Sequence, residues 1–332
     1  MFKYLKFFIF LTVSGLTLIS LQYRLLIVDY DTVELETFFT SEHSEKYCVI
    51  YNYWESGVEF SEGPHVTLVL HATSGYLPHL EEQLRTWAGG ISVSVFIPTP
   101  ANSSGYTVEV MESQLHLKAV FSSLSSPQAI KFKKSGQISL HLFFEKKYFQ
   151  KCPKFVIPEN TFSIFGASLA DVKDFGDITE IYPINVARNI ARKGSKTKLF
   201  VSGDIEQFYV QNFEPKIYQL AKKVLLEEKK KTVLVYRRFE LNDSAPVPKT
   251  KKELKKLLLE KKAVQFHKKY YSIGHYIRHL KEWIEAPEND KIEIFEKIYY
   301  KNGEWEPQFV GDDRVPFHDE RFPYRYRTNV QV

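Results

Sequence analysis

The stretch HVTLVLHATSGYLPHLEEQLRTWAGGISVSVFIP, His65–Pro98, decides the fold class. His65–Thr73 is a run of β-branched and apolar residues and reads as a strand. Leu77, Leu80, Leu84 and Trp87 then recur at helical spacing, and Gly89 and Gly90 stop the helix. ISVSVFIP is a second strand, closed by Pro98. Strand, helix and strand within this distance make a βαβ unit, whose default is a parallel sheet with a right-handed crossover.

The pattern continues outward. Gly136–Glu145 reads as a strand. YPINVARNIARKG, Tyr182–Gly194, reads as a helix with Pro183 near its first turn and Gly194 past its end. KTKLFVSGDIE, Lys196–Glu206, is a strand, and Glu214–Lys231 a helix. TVLVYRRFE, Thr232–Glu240, is expected as one strand. Thr250–His267 is expected as a basic amphipathic helix with Leu254, Leu257 and Leu258 turned inward and its lysines in solvent. No internal repeat interrupts the series. The expected fold is a single α/β domain with a mixed, mainly parallel sheet.

Before this body the chain opens MFKYLKFFIFLTVSGLTLISLQYR. The apolar residues between Lys6 and Arg24 are nearly long enough for a helix to cross a bilayer. No small-x-small cleavage site follows, so an anchor is favoured over a signal peptide. Lys3 and Lys6 precede the span and Asp29, Asp31, Glu34 and Glu36 follow it, which puts the N-terminus in the cytosol and the body in the lumen. The expected division is a cytoplasmic tail over 1–6, a transmembrane signal anchor over 7–23, a lumenal stem over 24–46 and the folded domain over 47–332. NSS at Asn102 and NDS at Asn242 are glycosylation acceptors that suit a lumenal body. Cys48 and Cys152 are an even pair that an oxidising compartment lets bridge; two unpaired core residues are the equal alternative.

The chain has 332 residues, 44% hydrophobic and 26% charged, enough to bury a sizeable core. Its 20 Tyr and 26 Phe suit a core or a site for a flat base or a sugar ring. A net charge of +5 leans toward anionic ligands, but the membrane span and the two glycosylation triplets oppose nucleic acid as a partner.

In open α/β sheets ligands bind beyond the carboxyl ends of the strands, where Asp204 and Glu206 lie. Positions i and i+2 of an extended chain point the same way, so both carboxylates are expected to face one divalent ion, Mg2+ or Mn2+, carrying a diphosphate. The alternative is an acid pair that caps a helix or meets a lysine. Along Tyr182–Gly194, Asn185 stacks on Asn189 and Arg188 on Arg192, and Arg188 is the candidate grip on phosphate or carboxylate. VYRRFE adds Arg237, Arg238 and Glu240, of which Arg237 is the candidate for the ligand. His71, Ala72 and Thr73 end the first strand and are expected near a bound nucleoside. The late segment WEPQFVGDDRVPFHDERFPYR carries Asp319 and Glu320, candidates for a general base.

Taken in order, HVTLVLHAT, W-x-GGISVSVFIP, YPINVARNIAR, FVSGDIE, VYRRFE, FHKKYY and WEPQFVG…VPFHDERF resemble glycosyltransferase family 49, from about Val66 to Arg325. The resemblance implies a GT-A fold and a single-pass type II Golgi membrane protein. It also implies a UDP-glucuronic acid donor, Mn2+ as cofactor, a glycan acceptor on a glycoprotein and an inverting transfer. The metal motif falls on Asp204 and Glu206, with Glu in place of the family's second Asp. Family members continue past the DERF segment into a stretch whose His supplies a further metal ligand. On that resemblance a chain ending at Val332 is expected to be a truncated product, an incomplete gene model or an inactive relative. The rival expectation is a non-catalytic lumenal protein that binds glycan or a partner transferase.

Overall fold

A computed structural model of the chain describes residues 35–38, 40–57, 66–97, 127–146, 151–152, 155–158, 182–301 and 303–322. The expected tail and anchor lie outside the described residues, as does Asn102. Among the described residues no helix is long and apolar enough to cross a membrane.

In chain order the elements begin with strands Leu35–Phe38 (β1), Ser41–His43 (β2), Tyr47–Trp54 (β3) and Val66–Ala72 (β4). A 3-10 turn, Ser74–His79, leads into helix Leu80–Thr86 (α1). Then come Ile91–Phe96 (β5), helix Pro127–Lys134 (α2), Ile138–Glu145 (β6), Phe155–Pro158 (β7), helix Ile184–Lys193 (α3) and Leu199–Ser202 (β8). Helix Phe213–Ala221 (α4) continues as a π-helical turn over Lys222–Glu227. The series ends with Leu234–Val235 (β9), Phe239–Leu241 (β10), helix Lys251–Leu259 (α5), Ala263–Gln265 (β11), helix Leu280–Glu285 (α6) and Phe309–Asp312 (β12).

Eight strands form the main sheet in the order β2-β3-β6-β5-β4-β8-β12-β9. Its four central strands, β6, β5, β4 and β8, run parallel, as the βαβ reading requires. Antiparallel strands close both sides: β3 and β2 beyond β6, and β12 and β9 beyond β8. β4 and β5 are buried along nearly their whole length, which explains their unbroken apolar runs. Alternate residues serve opposite layers. Leu68, Leu70, Val93 and Val95 join the core with Leu80, Trp87 and Ile217 from α1, its C-cap and α4. On the other face Val69 meets Ala191, and Phe96 meets Val186 and Ala187, all of α3.

Two buried serines of β5 fasten α3 to the sheet. Ser94 Oγ donates to Ala187 O at 2.7 Å and Ser92 Oγ to Ala191 O at 2.5 Å, one helical turn apart. Ser92 also meets His141 Nε2 at 3.0 Å, and burial pushes the His141 imidazole down to about 3. α3 ends against that ring: a Cβ at Gly194 would stand 2.0 Å from His141 Nε2, so only glycine fits.

Three boundaries differ from expectation. Ser41–His43 pairs with β3, so the sheet begins inside the expected stem. Thr232–Glu240 is two strands rather than one: β9 lies in the main sheet and β10 pairs with β11. The break frees Tyr236 to join the rings of Tyr209 and Phe213, and it turns Arg238 out of the ladder. The basic helix stops at Leu259, Lys261 takes a positive φ of 55°, and Ala263–Gln265 becomes strand β11. Leu254 and Leu257 are buried as expected. The two cysteines are bridged, Cys48 to Cys152, with Cα atoms 5.5 Å apart. Asn242 is exposed in a turn where the Ser244 N–H and hydroxyl donate to its Oδ1.

Glu214 lies at the start of α4 and is fully buried. One carboxyl oxygen accepts the Val66 N–H at 3.0 Å; the other has no partner. Burial pushes its pKa up from 4.5 to about 7. The folded chain therefore keeps a proton that the unfolded chain releases, so stability falls as pH rises through this window. The loss reaches on the order of 1–3 kcal/mol. Glu214→Gln is expected to raise the urea midpoint at pH 8 and leave it unchanged at pH 4. Parallel pH dependence in the two chains would show that Glu214 does not carry the effect.

Candidate functional site

From β4 the chain winds to β5 and β6 on one side, then returns to place β8 on the other. The carboxyl ends of β4 and β8 therefore part at a topological switch point, where α/β sheets open a ligand crevice. β4 delivers His71 and Thr73 there. β8 delivers Asp204, on a loop held by α1: Gln83 Nε2 donates to Ile205 O at 2.9 Å and to Gln207 O at 2.6 Å. α3 contributes Arg188, and the break after β9 contributes Arg238.

Asp204 is the hub. Its Oδ2 accepts Arg238 Nη2 at 3.0 Å, with the Asp204 side chain 39% exposed and the Arg238 side chain 11%. Burial pushes the carboxyl up, but Arg238, Arg188 and His71 outweigh it and hold the group below its ordinary value. Arg188 is 7% exposed, and Nη1 donates to Asn185 Oδ1 at 3.3 Å. Burial lowers its pKa while Asp204, and more weakly Tyr182 and Glu306, act to raise it. A guanidinium remains charged in such a setting. Arg238 stacks on Phe266 at 3.8 Å. Oriented by its neighbours, the Gln308 amide donates to Ser202 O at 2.7 Å and accepts from Arg238 Nη1 at 3.2 Å. The fork of Arg238 is thus fixed in direction.

His71 Nδ1 meets the Tyr182 hydroxyl at 3.0 Å, while its Nε2 is enclosed without a partner. Burial, with Arg188 nearby, pushes the imidazole down to about 4, so the ring is neutral at neutral pH. Thr73 follows β4 and is half-buried; its carbonyl accepts the Tyr76 N–H.

Most other residues expected at the site are engaged elsewhere. Glu206 is exposed. Arg237 faces away from Asp204: its guanidinium sits 4.7 Å from the Trp283 ring and 5.0 Å from that of Phe295. Asn185 donates to Asp319 O at 2.8 Å. Asn189 donates to His318 O at 2.8 Å, and Arg192 Nη1 to Pro316 O at 2.7 Å. The stacked polar face of α3 is therefore largely an anchor for the late loop, with Arg188 its one side chain beside Asp204.

Asp319 and Glu320, the candidate bases, are both engaged in that anchor. Hydrogen bonds from Arg321 hold the Asp319 carboxyl down to about 2. Glu320 accepts His43 Nε2 and Asn189 Nδ2, both at 2.7 Å, and the Ser44 hydroxyl. Burial pushes its carboxyl up, but these bonds win and leave it below the ordinary range. A general base works best with a pKa near the working pH, and neither carboxylate has one.

Three participants escaped the sequence reading: Tyr182, Arg238 and Gln308. Adjacent residues of a strand face opposite ways, so VYRRFE signals that one arginine reaches the crevice but not which. The expected Mn2+ site is not assembled among the described residues. Among the described residues no three His, Cys, Asp or Glu side chains gather as metal ligands. Asp204 is matched by a guanidinium, and Glu206 is exposed, though its charge still acts on Tyr182.

A family model described as "Glycosyl-transferase for dystroglycan" matches residues 65–332. The chain belongs to this glycosyltransferase family. Beta-1,4-glucuronyltransferase 1 from Bos taurus, from Mus musculus and from Homo sapiens is in each case 24% identical over 270 residues, which cover 77% of this chain and 60% of the relative. The chain thus spans about 60% of the length of these curated relatives. In this family member the matched span begins at β4 and holds His71, Arg188, Asp204 and Arg238. β1 to β3 precede it, yet His43, at the end of β2, reaches forward to Glu320.

Proposed function

We propose that the chain transfers glucuronic acid from UDP-glucuronic acid to a glycan on a glycoprotein, with inversion, as a type II Golgi membrane protein whose body is lumenal. Family membership and the similarity to beta-1,4-glucuronyltransferase 1 support the reaction class. The observation that carries the reading is Arg238, paired with Asp204 at the switch point, with the buried Arg188 acting on the same carboxylate. Sugar transfer leaves negative charge on the departing UDP. Forked arginines grip a diphosphate bidentately, and held in place they stabilise that charge as it develops. An incoming phosphate competes with Asp204 for the Arg238 fork. The exposed Asn242 triplet and the Cys48–Cys152 bridge suit an oxidising lumen.

Calorimetry with UDP in EDTA tests this reading. UDP is expected to bind without added metal, and Asp204→Asn to keep the affinity within about a few-fold, because both arginines remain. No binding by the unaltered chain in EDTA would remove the arginine grip, and binding restored only by Mn2+ would return the role to a metal. A second reading, a lumenal protein that binds donor or glycan without transfer, is favoured by the engagement of Asp319 and Glu320. Release of glucuronic acid from the donor, or its transfer, would overturn that second reading.

A further inference from the structure

We propose that an exposed aromatic track leading away from Arg238 is the acceptor subsite of this same site, and that its ligand is a neutral pyranose oligosaccharide. The inference rests on the transferase reading above. The track starts where Arg238 lies 3.8 Å over Phe266. Phe266 meets His275 edge-on at 4.8 Å, and His275 meets Tyr271 at 6.2 Å. The Tyr271 hydroxyl donates to Glu304 O at 3.0 Å, beside Trp305, which stacks with Tyr300 at 6.2 Å and 29°. Tyr270 branches from the start of the track: His267 stacks on Phe266 at 3.9 Å and meets Tyr270 edge-on at 6.4 Å.

Tyr270 is 78% exposed and Tyr300 64%, so each turns much of a large ring to solvent. Tyr300 is not loosely placed. The Tyr300 hydroxyl donates to Trp305 O at 3.2 Å, and the Glu306 N–H donates to Gly274 O at 2.7 Å, tying the two halves of the track together. Gly274 admits the Tyr271 ring so closely that a Cβ there would stand 2.1 Å from it. Rigid ring faces turned to solvent, with polar groups at their edges, suit the C–H faces and hydroxyls of a pyranose. Charge separates the classes of glycan. Between residues 266 and 306, seven Lys and Arg stand against eight Asp and Glu, so the segment offers no excess positive charge for a polyanion.

The test uses the full chain and three probes: xylotriose, cellotriose and mannotriose. Intrinsic tryptophan fluorescence follows binding, with Trp305→Phe to assign the signal, and UDP is titrated in the same preparations. At least one trisaccharide is expected to bind. Tyr270→Ala and Tyr300→Ala are each expected to weaken it about tenfold and to leave UDP affinity unchanged. Both side chains are exposed, and an unchanged melting temperature would confirm that the variants fold. If the chain binds UDP but none of the three sugars, or if both variants bind sugar normally, the track is not the acceptor subsite. If sugar binds and is lost in the variants while UDP does not bind, the transferase reading fails and the track stands as a glycan-binding surface.

Discussion

Arg238→Met is expected to lower the affinity for UDP by about 10- to 100-fold, the worth of one or two hydrogen bonds to a charged group. The reason is geometric as much as electrostatic. The guanidinium is stacked on Phe266 and bonded to Asp204 and Gln308, so it is already aimed before a ligand arrives. Arg238→Lys is expected to recover only part of the loss, because an ammonium lacks the planar fork. The Asp204 carboxyl should change as well. It is held low chiefly by Arg238 and then Arg188, so in Arg238→Met it should titrate at higher pH. Calorimetry in EDTA reads the first effect, and carboxyl carbon shifts in a pH titration read the second. UDP affinity unchanged in Arg238→Met would take this side chain out of the site and leave Arg188 alone there.

Removing the bridge with Cys48→Ala and Cys152→Ala together is expected to cost about 4–5 kcal/mol, the chain-entropy value for so long a loop. The two cysteines are 104 residues apart in sequence. Such a loss is a large part of the ~5–15 kcal/mol that typically holds a domain folded. Cys48 lies on β3, fully buried beside β6, and Cys152 follows β6, so the bridge pins the segment after β6 back onto the sheet. Urea unfolding of the oxidised chain, the reduced chain and the double variant measures it. The last two should unfold at similar and much lower urea concentrations. A loss below about 1 kcal/mol would mean that the unfolded chain is already restrained there.

The late loop gives Glu320 a structural role. By accepting from His43, Ser44 and Asn189 it joins the second strand, the α3 helix and the late loop through one carboxylate. The candidate base is thus a structural tie between distant parts of the chain. Asp319 is turned aside by its own neighbour, Arg321.

What the sequence determined alone was local order and layer. Unbroken apolar runs in β4 and β5 mark strands covered on both faces, and the 3.6-residue spacing of Leu77, Leu80, Leu84 and Trp87 marks the helix between them. Since a right-handed crossover is the default, the parallel centre followed, and with it the carboxyl-end position of His71 and Asp204. Tertiary structure alone decided who meets whom there. Pairing of Asp204 with Arg238, of α3 with the late loop and of Glu320 with His43 joins residues 34, 129 and 277 positions apart. No period links such pairs. The strand break at Tyr236–Arg238 was equally out of reach, because its cause is the ring cluster and ion pair that form only once β8, β9 and β12 lie side by side.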